Sequence, residues 1–158
     1  MFNGLEKDDQ LKMVNDISSL FENNDIEITH FKLKDMNILP CTSCGSCGLI
    51  TPGQCVLKDD IEQVIKAISH SQGMIFVTPI RFGGYSSTMK KVIDRFMLLG
   101  LPLYIYKDGH FLHPMRYDLK WLIGIGVNEK EKEDQVKSFK KLIAHNSLNM
   151  HMEQKTFI

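Results

Sequence analysis

The sequence predicts an α/β fold, a doubly wound parallel sheet of strand order 2-1-3-4-5 with a short first strand. Three observations predict it. Helical and strand-like periodicities alternate along the chain. No repeat, low-complexity tract or linker divides it, and 158 residues suit one core, so 1–158 is expected to form a single domain. A continuous apolar run ends at Pro79, where such sheets place a ligand-binding loop.

The elements follow in order. Only Met1 to Gly4 are available for the first strand, which should nevertheless be central. Leu11, Val14, Ile17, Leu20 and Phe21 give a helical stripe, and Ile26 to Leu33 reads as a strand. A cysteine-rich loop runs over 37–57. Asp59 and Asp60 then lead a helix at its positive dipole end, with Ile61, Val64, Ile65 and Ile68 on one face. Gly73 to Thr78 is the expectation for a strand buried on both faces. Ser86 or Ser87 caps a third helix that buries Met89, Val92, Ile93 and Phe96. A polar, aromatic-dotted excursion occupies 102–118. Trp121 to Val127 is another strand, Glu129 to His145 a helix with Val136, Phe139, Leu142 and Ile143 inward, and Met150 to Ile158 supplies a last edge strand. The closing helix common in such folds is absent from this reading.

Lysine plus arginine and aspartate plus glutamate balance at 19 each, which gives no electrostatic footprint for nucleic acid or an acidic membrane. The N-terminus turns acidic without an apolar signal core, and no apolar run approaches a spanning length, so the expectation is a cytoplasmic chain without nucleic-acid or membrane partners. All four cysteines, Cys41, Cys44, Cys47 and Cys55, fall within fifteen positions, which in such a chain favours metal or redox chemistry over a disulfide framework.

Their spacing has its own reading. Three thiolates in so short a loop can converge on the irons of a cubane, with a fourth from slightly further on. Gly45 and Gly48 let the chain wrap closely. Zinc fits less well, because structural zinc sites pair two separated knuckles. The alternative is a set of reduced thiols in a loop covering a neighbouring site. Beyond the buried strand lies Thr78-Pro79-Ile80-Arg81-Phe82-Gly83-Gly84-Tyr85-Ser86-Ser87. Its amides can reach a flat heterocycle, Gly83 and Gly84 permit close approach, and Phe82 or Tyr85 can cover a ring face. The plainer alternative is a strand-to-helix turn with a serine cap. The scattered histidines have no partner geometry and receive no catalytic role, and no side-chain acid or base is assigned.

From Leu39 to about Arg95, the pieces Pro40-Cys41, the further cysteines, Thr51-Pro52-Gly53-Gln54-Cys55, Asp59-Asp60, Thr78-Pro79, Gly83-Gly84 and Lys90 through Asp94-Arg95 occur in order with suitable spacing. This stretch resembles the NADPH-dependent FMN reductase and iron-sulfur-flavoprotein family. The resemblance implies a flavodoxin-like fold, bound FMN, NAD(P)H or a protein as electron donor, a small acceptor or electron-transfer partner, and a homodimer or tetramer. It implies that Pro79, Ile80, Arg81, Phe82, Gly83 and Gly84 contact the isoalloxazine. In the iron-sulfur branch, Cys41, Cys44, Cys47 and Cys55 hold a [4Fe-4S] cluster, whereas in the reductase branch comparable cysteines occur without one.

Two departures from the family pattern stand out. Ile80-Arg81 replaces a frequent valine-tyrosine, and an arginine there favours an anionic reduced flavin. The first loop, Asn3-Gly4-Leu5-Glu6-Lys7-Asp8-Asp9-Gln10, lacks the hydroxyls that hold a phosphate and sets carboxylates near a dianion, against which stand Lys7 and a helix dipole. Three functions follow as expectations: an FMN-dependent oxidoreductase, an iron-sulfur electron-transfer module, or a flavodoxin-like scaffold that has lost its flavin. The tyrosines and histidines of the excursion are expected either at a dimer contact or on an exposed hairpin.

Overall fold

A computed structural model describes residues 1–5, 11–130 and 132–158. In chain order its elements are β1 (Phe2–Asn3), α1 (Leu11–Glu22), β2 (Phe31–Lys32), α2 (Ser46–Leu49), α3 (Ile61–Ser69) and β3 (Gly73–Pro79). There follow α4 (Ser87–Asp94), β4 (Ile105–Lys107), β5 (His110–Leu112), β6 (Trp121–Val127), α5 (Glu133–Asn149) and β7 (Glu153–Phe157). The main sheet has the order β2-β1-β3-β6-β7 and is parallel throughout, which is the flavodoxin-like arrangement. β4 and β5 form a separate antiparallel hairpin within the 102–118 excursion.

β1 is only two residues long yet central. Phe2 registers with Phe31 on one side and Phe76 on the other, and its ring lies against Phe31, Phe76 and Phe96. That aromatic cluster compensates for the few backbone bonds so short a strand can make. β3 is buried from Met74 to Pro79, as a strand covered on both faces must be. One face carries α3, α4 and α5, whose Ile61, Val64, Ile65, Ile68, Met89, Val92, Phe139 and Ile143 enter a common core. Among the described helices α1 alone covers the other face, where Phe21 stacks on Trp121. Accordingly β6 alternates: Leu122, Gly124 and Gly126 are buried under α5, while Ile123, Ile125 and Val127 are half-buried.

Several expectations need correction. The strand expected over Ile26 to Leu33 shrinks to Phe31–Lys32, because it pairs with a two-residue β1 and has no longer partner to extend along. Leu20 of the α1 stripe is 63% exposed and faces away from the sheet. The final helix is Glu133–Asn149 rather than Glu129 to His145. The third helix stops at Asp94, and Arg95–Leu99 tightens into a 3-10 turn that still buries Phe96. Ser86 is the N-cap of α4.

Candidate functional site

The loops after β1, β2, β3 and β6 all leave from the carboxyl edge of the sheet, where doubly wound folds bind ligands. One hydroxyl ties two of them together. Ser86 donates to the Gly4 carbonyl at 3.0 Å and accepts the Met89 amide at 3.3 Å, so the cap of α4 also holds the end of β1. The Gly4 amide donates to Val77 O at 2.8 Å, and Thr78 Oγ1 accepts the Ser86 amide at 3.1 Å. Glu6 to Gln10 of the first loop lie outside the described residues.

The loop Pro79 to Gly84 is a tight two-residue turn. Arg81 and Gly84 exchange backbone bonds of 3.0 and 2.8 Å, and the two central residues have positive φ, 51° at Phe82 and 75° at Gly83. Only glycine suits position 83: a Cβ there would lie 2.9 Å from that of Ser138 in α5. Phe82 is different. A bulky side chain in the left-handed region costs about 1–2 kcal/mol, and this one is also 91% exposed. Neither feature serves the fold, and strain of this kind collects at ligand sites. Among the described residues the amides of Phe82 and Gly83 have no backbone acceptor. Pro79 and Ile80 are buried beneath them, and Arg81 pairs with Glu129 at 3.3 Å, bridging the loops after β3 and β6. Tyr85 belongs to the core: its ring packs edge-on to Phe76 and Phe139, its hydroxyl accepts from Asn146 at 2.6 Å, and burial pushes its ionisation well above the usual range. Of the two rings able to cover a planar ligand, Phe82 is the one available.

At the other end of α4, all four cysteines line one cavity of about 400 Å³, together with Asp94, Arg95, Met97 and Leu98. The chain reaches this shape through left-handed turns at Ser43 and Gly45, after which Ser46–Leu49 forms the single turn α2. The thiols differ in environment. Hydrogen bonds from Ser46 and Thr42 hold exposed Cys44 below the ordinary thiol range, whereas burial, then the nearby charge of Cys55, pushes Cys47 up. Among the described residues no three His, Cys, Asp or Glu side chains converge as they would on a single metal ion.

A buried ion pair closes the loop. Arg95 is 2% exposed, and its guanidinium meets Asp59 at 2.8 and 3.1 Å and donates to the Leu39 carbonyl at 2.9 Å, two residues before Cys41. Asp59 in turn accepts the Leu39 amide at 2.7 Å and the Ile61 amide at 3.2 Å. Burial opposes both charges, yet the pairing prevails: Asp59 stays below the usual carboxylate range and Arg95 above its own. Among the described residues Nε of Arg95 is buried without a hydrogen-bond partner, as are Nε and Nη2 of Arg116, which lies over Gly53.

Residues 9–145 match the NADPH-dependent FMN reductase family. The chain belongs to that family. It is also similar to archaeal iron-sulfur flavoproteins. One from Methanocaldococcus jannaschii is 33% identical over 70 residues, 44% of this chain and 35% of that protein. One from Archaeoglobus fulgidus is 28% identical over 89 residues, 56% and 40% respectively. One from Methanosarcina thermophila is 28% identical over 67 residues, 42% and 34%. The matches therefore span about a third to two fifths of these relatives' own lengths.

The groups named by these relatives can be tested against the residues present. A cubane needs four thiolates around one volume; all four cysteines line a single cavity, which supplies the donor type and number, while among the described residues no three side chains of metal-ligand type come together on one point. The unused amides and exposed ring at 82–83 suit a planar ring. What sequence reasoning missed is the pairing of Asp59 with Arg95. The sequence marks Asp59 only as a dipole complement, whereas its carboxylate is engaged by Arg95 as well as by the first turn of α3.

Proposed function

We propose that this chain is a flavin-dependent oxidoreductase that takes electrons from NAD(P)H or a protein donor and passes them to a small acceptor or an electron-transfer partner. FMN would be held at 79–84, and a [4Fe-4S] cluster by Cys41, Cys44, Cys47 and Cys55. The observation that carries the reading is the placement of two unexplained features at opposite ends of one short helix. The strained turn at Phe82–Gly83 precedes α4, and the four-thiol cavity lies at its far end, some 12 Å along at about 1.5 Å per residue.

When bound, FMN supplies hydride acceptance and one-electron transfer. The chain's own residues position and exclude. The amides of Phe82 and Gly83 offer donors to a heterocycle edge, the Phe82 ring covers one face, and buried Ile80 and Tyr85 keep water from below. Arg81 places positive charge beside that position, moderated by Glu129 at 3.3 Å. A second cavity of about 590 Å³, sharing Cys47 and Asp94 with the first and walled by Phe96, Pro102, Tyr104 and His113, is where we place a small acceptor. Tyr104, Tyr106 and Phe111, exposed on the β4–β5 hairpin and its approach, are proposed to meet a second copy of the chain. Light scattering on wild type and on Phe111→Glu tests that contact, a monomeric wild type refuting it.

The main test is a purification without oxygen followed by a visible spectrum, iron and acid-labile sulfide determination, and NADPH oxidation. Paired flavin bands with nicotinamide turnover are expected, together with iron and sulfide. Iron and sulfide without NADPH turnover would convert the reading to an electron-transfer module, and a colourless protein would leave a scaffold without cofactor.

A further inference from the structure

We propose that Arg95 is the residue that sets the reduction potential at the four-cysteine cavity, by presenting its Nε–H and a fixed positive charge to the thiolate of Cys55. This inference rests on the reading that the cysteines hold an iron-sulfur cluster. Arg95 is a positioning and charge-setting residue, not a ligand.

The argument begins with an orphan. A buried N–H without a partner is costly, because it has given up its bond to water and gained none in return. Arg95 directs both terminal nitrogens to oxygen: Nη1 donates to Leu39 O and Asp59 Oδ2, Nη2 to Asp59 Oδ1. Among the described residues its Nε is the one nitrogen with no hydrogen-bond partner at all. The side chain borders the same cavity as the four thiols. Cys55 lies near enough that its charge and its capacity to accept a hydrogen bond both favour the guanidinium, while Nε itself meets no partner among the described residues. Arg95 thus keeps a buried, partnerless N–H beside a cavity that is lined by sulfur and by neither of its oxygen acceptors, Leu39 and Asp59. A thiolate there would satisfy it with a charge-assisted bond.

Asp59 makes the arrangement more than a stray contact. Its carboxylate fixes the guanidinium plane by a two-pronged pairing and cancels part of the charge, so the cavity feels a moderated cation. Uptake of one electron at the cavity adds one negative charge and makes or breaks no bond. A neighbouring cation stabilises that state, and screening is weak at a site buried to this degree. The sign follows for each partner. Removing the cation lowers the potential; removing its counter-charge raises it. A purely structural pair would perturb both variants in the same direction.

The experiment uses the anaerobically purified, cluster-loaded chain. Dithionite titration monitored by EPR gives the midpoint potential of wild type, Arg95→Gln, Arg95→Lys and Asp59→Asn. Arg95→Gln is expected to shift the reduced-to-oxidised ratio at fixed potential about tenfold toward oxidised, ~59 mV downward for one electron. Asp59→Asn is expected to move upward, and Arg95→Lys to recover part of the loss. Because breaking a buried pair can prevent folding, a second measurement needs no variant. Wild type grown with 15N-arginine, which labels Arg81, Arg95 and Arg116, is reduced and examined by pulsed EPR for a 15N coupling to the unpaired spin. A coupling supports the proposal. Shifts of equal sign, or no coupling in a sample whose iron and sulfide are present, overturn it alone. A sample without iron and sulfide overturns the cluster reading and this inference with it, which the metal determination makes plain.

Discussion

Replacing Asp59 by alanine strands Arg95 in the protein with no counter-charge. Both side chains of the pair are almost wholly buried, with exposures of 0% and 1%, and the contacts are 2.8 and 3.1 Å. Removing one member of such a pair costs ~3–5 kcal/mol, most of it the penalty of an uncompensated buried charge. The Leu39 amide, nearer the surface, can turn to water and adds little. At ~2–4 °C per kcal/mol for a chain of this size, the melting temperature of cofactor-free protein should fall by roughly 6–20 °C. Calorimetry and urea melts of wild type, Asp59→Ala, Arg95→Leu and the Asp59→Leu/Arg95→Leu double variant measure it. The double variant should recover much of the single-variant loss, since apolar replacements of a buried pair are often neutral. The pH dependence has a definite sign. Burial works against the carboxylate, but Arg95 and the Leu39 and Ile61 amides hold Asp59 below its ordinary range, so its contribution is complete above about pH 4 and is lost as pH falls through the depressed value. Asp59→Ala should therefore show a shallower acid limb. A loss below ~1 kcal/mol, or a double variant as damaged as the sum of the singles, would refute the reasoning.

Other expectations are quicker to state. Gly83→Ala combines a Cβ 2.9 Å from Ser138 with a φ of 75°, and should lower stability by ~1–3 kcal/mol and release flavin on dialysis; retention of flavin at wild-type level would count against the ring loop. In cluster-free protein, iodoacetamide mapped by mass spectrometry should modify Cys44 first and Cys47 last, following exposure and thiolate character. Ser86→Ala removes the α4 cap and the tie to Gly4, and urea melts should show a loss of ~1–2 kcal/mol. A change within error would mean the cap is replaced by water.

Much of this was legible because periodicity reports burial directly. Ile61, Val64, Ile65 and Ile68 lie on the face their spacing predicted, and Gly73 to Thr78 fall within a strand buried on both sides, because helix and strand repeats expose the same positions whatever the neighbours. The cysteines were visible by crowding alone. What depended on distant partners was not visible. Ile26 to Leu33 alternates plausibly, yet strand length is set by what lies beside it, and β1 offers two residues. Tyr85 resembles a ring-covering residue from its place in the loop, and only Asn146, 61 positions away, draws its hydroxyl inward. Arg95 follows a helical stripe where charge usually means solvent, and its acceptors are 36 and 56 positions upstream.

Those separations bear on the order in which the molecule can mature. Leu39, Asp59 and Arg95 are joined across 20, 36 and 56 positions, so the thiol cage has no local origin. Its lid is latched by a residue that emerges from the ribosome forty positions after Cys55, and long-range contacts of this kind close late because the intervening chain must be ordered first. A nascent chain therefore presents four unarranged thiols until β3 and α4 have docked. Arrangement of the four cysteines is thereby coupled to completion of the sheet, and an excised peptide spanning 37–57 should lack the cavity that the whole chain assembles.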